Sequence, residues 1–358
     1  MSSGQFLFLD YVASSESGSK EWNGVLGAAA FEGGALNGHD AEPALQGDSD
    51  LPLARVRTPL LNDHGAVLEV WRTRGRTHPG SHGQVHYGRG GDLLFGSIAV
   101  PEAELESAAG ASRRTPLEIA TDRAYRQMYA TLAAANTPHL VRVWNYLPEI
   151  NIDTHGLERY RQFNTARQEA SLACGRAIAG SVPAASALGA ASGSPLTIYF
   201  LASRHAPAFI ENPRQVSAYR YPAQYGPRTP AFSRATVLGE GSEATLFISG
   251  TASIVGHQTL HTGDPAAQIR ETLVNIEALL AEAARRCGME TLGLETLAYK
   301  VYVRDPQELP IIRAELESAL GARAALLYLK ADICRRDLSV EIEAVGGRRL
   351  ATGGIMVG

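Results

Sequence analysis

The chain has 358 residues, of which 45% are hydrophobic and 20% are charged, and its formal net charge is −4. This balance, with basic residues scattered along the chain, argues against nucleic acid or an anionic membrane as a partner. No apolar run approaches the ~20 residues that a membrane-spanning helix needs. Three well-separated cysteines and an N-terminus without signal-peptide features lead us to expect a cytoplasmic protein without disulfides.

The first half of the chain alternates between strand and helix patterns. We predict, in chain order, a strand, a helix, a strand, a helix and a strand over residues 91–102, 115–136, 140–149, 156–178 and 195–203. Thr115 and Glu118 form a capping box around Pro116, which marks the start of the first helix.

The second half repeats this order. We predict a strand, a helix, a strand, a helix and a closing hairpin over residues 244–256, 264–288, 297–306, 308–321 and 327–347. Asp264 and Pro265 begin the long helix, and Gly288 ends it.

Equivalent elements of the two halves lie at similar offsets. Gly96 and Gly250, in equivalent strands of the two halves, are 154 residues apart, and Arg142 and Lys300, in another equivalent pair of strands, are 158 residues apart. Similar offsets for different elements indicate a duplicated unit. The pattern predicts an α+β protein of two units, each a mixed β-sheet backed by two helices.

Two stretches of small residues interrupt the pattern. Residues 181–194 are rich in Ala, Gly and Ser and are predicted to form a surface loop. Residues 33–50 are rich in Gly, Ala and Asp and are predicted to be mobile.

The second unit resembles the YjgF/RidA-like (chorismate-mutase-like) fold. The likeness rests on "FSRATVLGEGSEATLFISGTASIVGHQTLHTGDPAAQIRETLVNIEALLAEA" and on the closing strand "RRDLSVEIEAV". It implies a degenerate N-terminal unit over residues 1–205 and a catalytic unit over residues 206–358. Proteins of that fold are usually trimers, and the sequence leaves a trimer or a monomer open.

A longer set of segments is similar to the chorismatase family, which includes 3-hydroxybenzoate synthases. These segments are "VWNYLPEIN", "GLERYRQFNTARQEA" and "NPRQVSAYRYPAQYGPRTPAFSRA", together with Cys334 and Glu341. The resemblance implies conversion of chorismate to 3-hydroxybenzoate and pyruvate, with some 4-hydroxybenzoate in certain members. It implies neither a metal nor a cofactor.

The closing strand places Glu341 on one face with Ser339 and Glu343, and Val340 with Ile342 on the other. From spacing alone, a carboxylate facing solvent is the commoner outcome. The resemblance instead implies that Glu341 is a general acid that protonates the enolpyruvyl ether of chorismate.

Residues 330, 332 and 334 alternate onto one face, so Lys330 and Cys334 are expected in one cleft. A neighbouring lysine favours ionisation of a thiol, although a lone cysteine is more often a small buried side chain. The resemblance implies that cysteine here, with Gly250, goes with aromatisation, and that a small inert residue goes with hydrolysis to a dihydroxy-diene acid. Gly250 alone also fits a bulge.

Further candidates are cationic or phenolic side chains suited to a cyclic dicarboxylate. Tyr160 and Arg167 share a helical face with Phe163 and Asn164, although a solvated face of Glu–Arg pairs explains that spacing equally well. The predicted substrate-binding residues are Tyr160, Arg167, Tyr221, Arg228, Arg234, Gly250 and Lys330.

Other functions compete with this hypothesis. A non-catalytic metabolite-binding protein would bind a carboxylate without turnover. An imine deaminase of the RidA type needs an arginine fifteen residues before the last-strand carboxylate, and that position holds Leu326. Three histidines spaced by four residues, His78, His82 and His86, lie among helix-breaking residues and are weak metal candidates.

Overall fold

The computed structural model describes residues 7–13, 23–33, 51–62, 66–110, 112–321, 324–347 and 352–353. The stretch predicted to be mobile therefore lies, apart from Gly33, outside the described residues. No helix in the described ranges is long and apolar enough to cross a bilayer.

Four N-terminal strands precede both units: β1 (Leu7–Ala13), β2 (Val25–Gly33), β3 (Leu53–Leu60) and β4 (Val67–Thr73). They pair with one another and with the sheet of the C-terminal unit. A division of the chain at residue 205 would assign them to the N-terminal unit, but the hydrogen-bonded sheet places them with the other one. The boundary was placed differently from sequence because the pairing of β3 with β19 joins residues far apart in the chain, and spacing along the chain cannot reveal it.

The first unit carries a six-stranded sheet, in the order β11-β8-β12-β7-β6-β5, among the described residues. Its elements are β5 (His78–His82), β6 (Val85–Gly90), β7 (Leu93–Val100), α1 (Glu106–Gly110), α2 (Pro116–Ala134), β8 (His139–Pro148), β9 (Asp153–Thr154), β10 (Leu157–Glu158), α3 (Arg159–Ala173), β11 (Ala184–Ala190) and β12 (Leu196–Ser203).

The second unit contributes to an eleven-stranded sheet within the described ranges, in the order β13-β14-β15-β20-β18-β19-β3-β2-β4-β1-β21. Its elements are β13 (Ala208–Ile210), β14 (Ala235–Leu238), β15 (Thr245–Thr251), β16 (Ile254–Val255), β17 (Gln258–Thr259), α4 (Pro265–Cys287), β18 (Ala298–Val303), α5 (Leu309–Leu320), β19 (Ala325–Lys330), β20 (Val340–Gly346) and β21 (Thr352–Gly353).

The two units repeat one strand order. The series β11-β8-β12-β7-β6 of the first unit matches β19-β18-β20-β15-β14 of the second, and helices α2 and α3 correspond to α4 and α5. The predicted α+β class with two duplicated units is confirmed. Each helix pair covers the outer face of its own sheet with apolar side chains, since period-2 strands and period-3.6 helices present matching apolar faces.

The inner faces of the two sheets pack against each other around a cluster of aromatic rings. Trp144 stacks on Tyr199 with a centroid separation of 4.6 Å, and Trp71 lies 5.8 Å from Trp144 and 5.9 Å from Phe247. These rings come from β8, β12, β4 and β15, so a single core joins both units and the N-terminal strands.

Residues 181–194 do not form the predicted surface loop, because half of them form β11, which pairs in parallel with β8. Their small side chains allow the backbone to approach the other unit closely. A Cβ on Gly189 would lie 2.8 Å from the Cβ of Asp332, and the amide of Ala185 donates to Ser249 Oγ at 2.9 Å. The composition that indicated a loop instead permits a tight inter-unit contact.

Residues 327–347 do not form the predicted hairpin. Strands β19 and β20 are both paired with β18, in parallel and antiparallel register respectively, so β18 lies between them. The segment 331–339 is a loop that spans the end of β18. Two adjacent β runs joined by a short charged segment resemble a hairpin in sequence, but the pairing is decided by the third strand.

Asn62 provides a test of how the N-terminal strands are held to the C-terminal sheet. Its side chain accepts from the Tyr328 amide at 2.7 Å and donates to the Leu326 carbonyl at 3.4 Å. Asn62→Ala should lower the free energy of unfolding by about 1–3 kcal/mol, because a buried amide loses its acceptor. Urea denaturation measures the loss. Gln127→Ala removes two solvent-exposed hydrogen bonds with Gln84 and is the control. It should change stability by less than about 0.5 kcal/mol, because water replaces exposed partners. Equal losses in the two variants would contradict the assignment.

Candidate functional site

A cavity of about 820 Å³ lies where the two units meet. Strand β11 and helix α3 of the first unit form one wall, and β15, β20 and the loop 331–339 of the second unit form the other. The units are held together there by side chain–backbone bonds such as Ala184 N to Thr236 Oγ1 at 2.8 Å. The cavity is within the size range of small-molecule sites.

Glu341 projects into this cavity from β20. The strand alternates as predicted: Val340 and Ile342 pack beneath the helices, while Glu341 and Glu343 face the inner side. Glu341 is only 5% exposed. Its carboxyl group lies over Gly250, where a Cβ would be 1.9 Å from Oε1, so glycine at this position makes room for the acid.

Two features disfavour the anionic form of Glu341. Burial and the nearby charge of Glu343 raise its pKa to about 8, against the opposing effects of Arg142, Cys334 and Arg234. The Cys334 thiol, 3.9 Å from Oε2, is a weak donor and stabilises a carboxylate little. Glu341 is therefore largely protonated at neutral pH.

Cys334 lies in the loop 331–339 rather than on a strand. Desolvation and the charge of Glu341 raise its pKa to about 12, although Arg335, Arg304 and Arg234 oppose the shift. The expectation of an easily ionised thiol is therefore wrong, because Lys330 does not line the cavity and a carboxyl group is the nearest partner. The thiol is neutral at physiological pH.

Three arginines of the cavity wall have N–H groups without a partner among the described residues: Arg167 Nε, Arg234 Nε and Arg335 Nη2. Arg167 and Arg234 are 4% and 3% exposed. Within the described ranges none of the three forms an ion pair with a carboxylate, in contrast to Arg161 and Arg336, which pair with Glu158 and Asp153. The wall is thus a buried cationic surface with open donors.

Tyrosine side chains hold two of these arginines in place. Tyr221 OH accepts from Arg234 at 2.7 Å, and the Arg335 guanidinium lies 4.3 Å from the ring centroid of Tyr225 and 5.3 Å from that of Tyr221. Burial, together with the charges of Cys334 and Glu341, raises the pKa of Tyr160, which remains a neutral phenol beside the acid.

The structure brings most of the predicted site residues together. Those that line the cavity are Glu341, Cys334, Tyr160, Arg167, Tyr221, Arg234 and Gly250. Arg228 and Lys330 do not line it: Arg228 is exposed on its loop, and Lys330 ends β19 before the chain turns toward the cavity.

Among the cavity residues that were not predicted from sequence, Ser186 and Arg335 bear directly on the chemistry of the site. Ser186 lies on β11, which was taken for a loop, and Arg335 directly follows Cys334, which was the only available signal for it. The three spaced histidines lie on the β5–β6 hairpin and not on a helix.

The state of the thiol can be tested by alkylation. With a pKa of about 12 instead of an ordinary ~8.5, native Cys334 should react with iodoacetamide at pH 8 about 10³-fold more slowly than in the guanidinium-unfolded chain, because the thiolate is the nucleophile. Peptide mass mapping over time measures the rate at each cysteine. Equal rates in the native and unfolded states would refute the assignment.

Known proteins resemble this chain over most of its length. The family model described as chorismatase FkbO/Hyg5-like, N-terminal, matches residues 69–202. A chorismatase from Streptomyces rapamycinicus is 38% identical over 82% of this chain and 86% of its own length. A 3-hydroxybenzoate synthase from Streptomyces hygroscopicus is 38% identical over 77% and 80%.

A crystal structure of a chorismatase superposes with a TM-score of 0.82 and 33% identity, over 95% of this chain and 98% of that one. Similarity of this extent in both sequence and structure covers both units and the cavity between them. The chain belongs to the chorismatase family.

Proposed function

We propose that this protein converts chorismate to 3-hydroxybenzoate and pyruvate, with Glu341 as the general acid. One observation carries the proposal: a carboxyl group that retains its proton at neutral pH faces a cavity whose wall holds arginines with open donors. The relatives named chorismatase and 3-hydroxybenzoate synthase support chorismate as the substrate.

Chorismate carries two carboxylates, and the cavity wall offers donors for both. Arg167 and Arg234 lie on opposite units, so together they favour a ligand that spans the junction. Arg335 adds a third guanidinium, and Tyr160 adds a neutral hydroxyl donor. Arg228 and Lys330 have no role in this proposal because neither lines the cavity.

The first step is protonation of the terminal carbon of the enolpyruvyl ether. Protonation of carbon is slow, and a positioned acid with a pKa near the working pH accelerates it. Water then adds to the resulting oxocarbenium carbon and returns a proton to Glu341. Collapse of the hemiketal releases pyruvate and leaves a dihydroxy-diene carboxylate, so one water has been consumed.

Aromatisation returns that water. Glu341 protonates the departing 4-hydroxyl, and the ring then loses its proton at C3 to give 3-hydroxybenzoate. Because Cys334 is a neutral thiol 3.9 Å from Glu341 Oε2, it acts as a relay: the sulfur accepts the ring proton while the S–H proton passes to the carboxylate. Loss of the 3-hydroxyl with the proton at C4 would give 4-hydroxybenzoate instead.

Two alternatives are distinguished by product analysis. A chorismate hydrolase would stop at the dihydroxy-diene acid, and a metabolite-binding protein would bind chorismate without releasing pyruvate. The imine-deaminase alternative lacks structural support, because Leu326 packs in the apolar core beneath the helices where that reaction needs a guanidinium.

Glu341→Gln tests the acid. Pyruvate formation from chorismate should fall by about 10³-fold or more, since the amide cannot deliver a proton. In the unaltered protein kcat/KM should fall as pH rises through about 8, where Glu341 loses its proton. A lactate-dehydrogenase-coupled assay measures both effects. Glu240→Gln, at an exposed position, should have no effect, and full activity of Glu341→Gln would exclude the mechanism.

Cys334→Ala tests the relay. Pyruvate release should persist, because the thiol is not required for ether protonation, while the product should shift from 3-hydroxybenzoate toward the dihydroxy-diene acid. Chromatographic separation of the aromatic and diene products measures the ratio. Cys174→Ala, outside the cavity, is the matched control. An unchanged product ratio in Cys334→Ala would rule out a role for the thiol.

A further inference from the structure

A cluster of four ionisable side chains is buried next to the cavity, and the steps described above do not use it. Lys300 Nζ lies 2.6 Å from Glu69 Oε2 and 2.7 Å from Glu343 Oε1, and Arg142 Nη2 lies 2.7 Å from Glu343 Oε2. All four are at most 3% exposed. They come from four different strands: β4, β8, β18 and β20. Two carboxylates and two cations make the cluster, called here the buried quartet, neutral as a whole.

Ser186 connects the buried quartet to the cavity wall. Its hydroxyl donates to Glu343 Oε2 at 2.7 Å and accepts from Arg142 Nη2 at 2.5 Å and from the Gly250 amide at 3.1 Å. Gly250 is the residue over which the Glu341 carboxyl lies. One hydroxyl therefore joins the quartet to the backbone that supports the acid.

Glu343 and Glu341 are two residues apart on the same face of β20. Although burial raises the pKa of Glu343, Lys300 and Arg142 outweigh it and hold that pKa below its usual range, so Glu343 is anionic. A fixed negative charge beside a second carboxyl disfavours a second anion. The charged or titratable groups that face Glu341 from the surrounding elements are Glu343, Arg142, Arg234, Cys334 and Tyr160.

We propose that Glu343 is a positioning residue for the reaction: held as an anion by Arg142 and Lys300 and linked through Ser186 to Gly250, it keeps the proton on Glu341. This inference rests on the proposed role of Glu341 as the acid. Glu343 contacts no substrate, because its oxygens are occupied by Arg142, Lys300, Ser186 and Trp144.

A purely structural quartet would make a different prediction, and Glu69 provides the comparison. Glu69 contacts Lys300 as closely as Glu343 does, but its other partners are Trp71 and Tyr199, which do not line the cavity. Lys300 therefore lies between Glu69 and the part of the cluster next to Glu341. Removing either carboxylate leaves the buried quartet with one excess positive charge, so both losses should destabilise the protein.

The experiment compares Glu343→Gln with Glu69→Gln at matched temperature. In Glu343→Gln the alkaline limb of the kcat/KM profile should move to lower pH by about one unit or more, because Glu341 ionises more easily without the neighbouring anion. In Glu69→Gln, which also removes a buried carboxylate from Lys300, the alkaline limb should stay at the pH of the unaltered protein. Glu343→Asp keeps the negative charge, so its alkaline limb should lie close to that of the unaltered protein.

Infrared spectroscopy supplies a readout that does not need turnover. The band of the protonated Glu341 carboxyl is assigned by its loss in Glu341→Gln and is then followed with pH in each variant. The pH at which half of this band is lost should be lower in Glu343→Gln than in the unaltered protein, and unchanged in Glu69→Gln. If Glu343→Gln does not fold, the double variant Glu343→Gln/Lys300→Met, which retains one carboxylate and one cation, carries the same test.

A folded Glu343→Gln variant whose infrared midpoint and alkaline limb both match the unaltered protein would overturn the inference and leave the proposed function intact. Equal shifts in Glu343→Gln and Glu69→Gln would also overturn it, since a general loss of structure would then explain both. Absence of pyruvate from the unaltered protein would instead remove the proposed function, while the infrared titration would still decide the role of Glu343.

Discussion

The structure depends on the neutralisation of buried charge where the two sheets meet. Arg142 and Lys300 occupy equivalent strands, β8 and β18, of the two duplicated units, and both contact Glu343. Breaking one partner of a buried ion pair is costly, because the remaining charge stays desolvated. Each unit therefore supplies one of the two cations that contact Glu343, and Glu69 brings the N-terminal strands into the same cluster. Together with the aromatic core, these ion pairs join the two sheets beside the cavity.

The cavity contains two different electrostatic environments, since arginines close to Glu341 would favour its anionic form. Its wall carries Arg167, Arg234 and Arg335 with open donors, which suits a dianionic ligand. Around Glu341, burial and an adjacent anion dominate over the arginines, which suits a neutral acid. The separation is possible because the charge of Glu343 is placed two residues along β20 and is anchored away from the ligand. A substrate could thus be bound by cations while it receives a proton from a carboxyl group.

Sequence patterns predicted the local elements well where the signal was local. The capping box of Thr115 and Glu118 is present at the start of α2, and Asp264 caps α4. The predictions failed where pairing was non-local. The strand β11 was taken for a loop because its Ala and Gly residues carry no β pattern, and β19 and β20 were taken for a hairpin because nothing in their own residues reveals that β18 separates them. Lys330 was placed at the site because strand alternation put it on one face with Cys334, and Arg228 because its segment is rich in Tyr and Arg; the structure leaves both outside the cavity lining.

By itself the sequence determined the duplication, the boundaries of α2, α4 and α5 to within two residues, and the alternation that puts Glu341 and Glu343 on one face of a strand, because these follow from spacing and from contacts within a few residues. It could not determine which of the two carboxyl groups keeps its proton. That outcome is a property of the tertiary structure, since the cations that ionise Glu343 come from strands about 200 and 43 residues away in the chain, and the desolvation of Glu341 comes from the junction of two units. A pKa depends on which groups are brought together and how far they are from water, and only folding decides both.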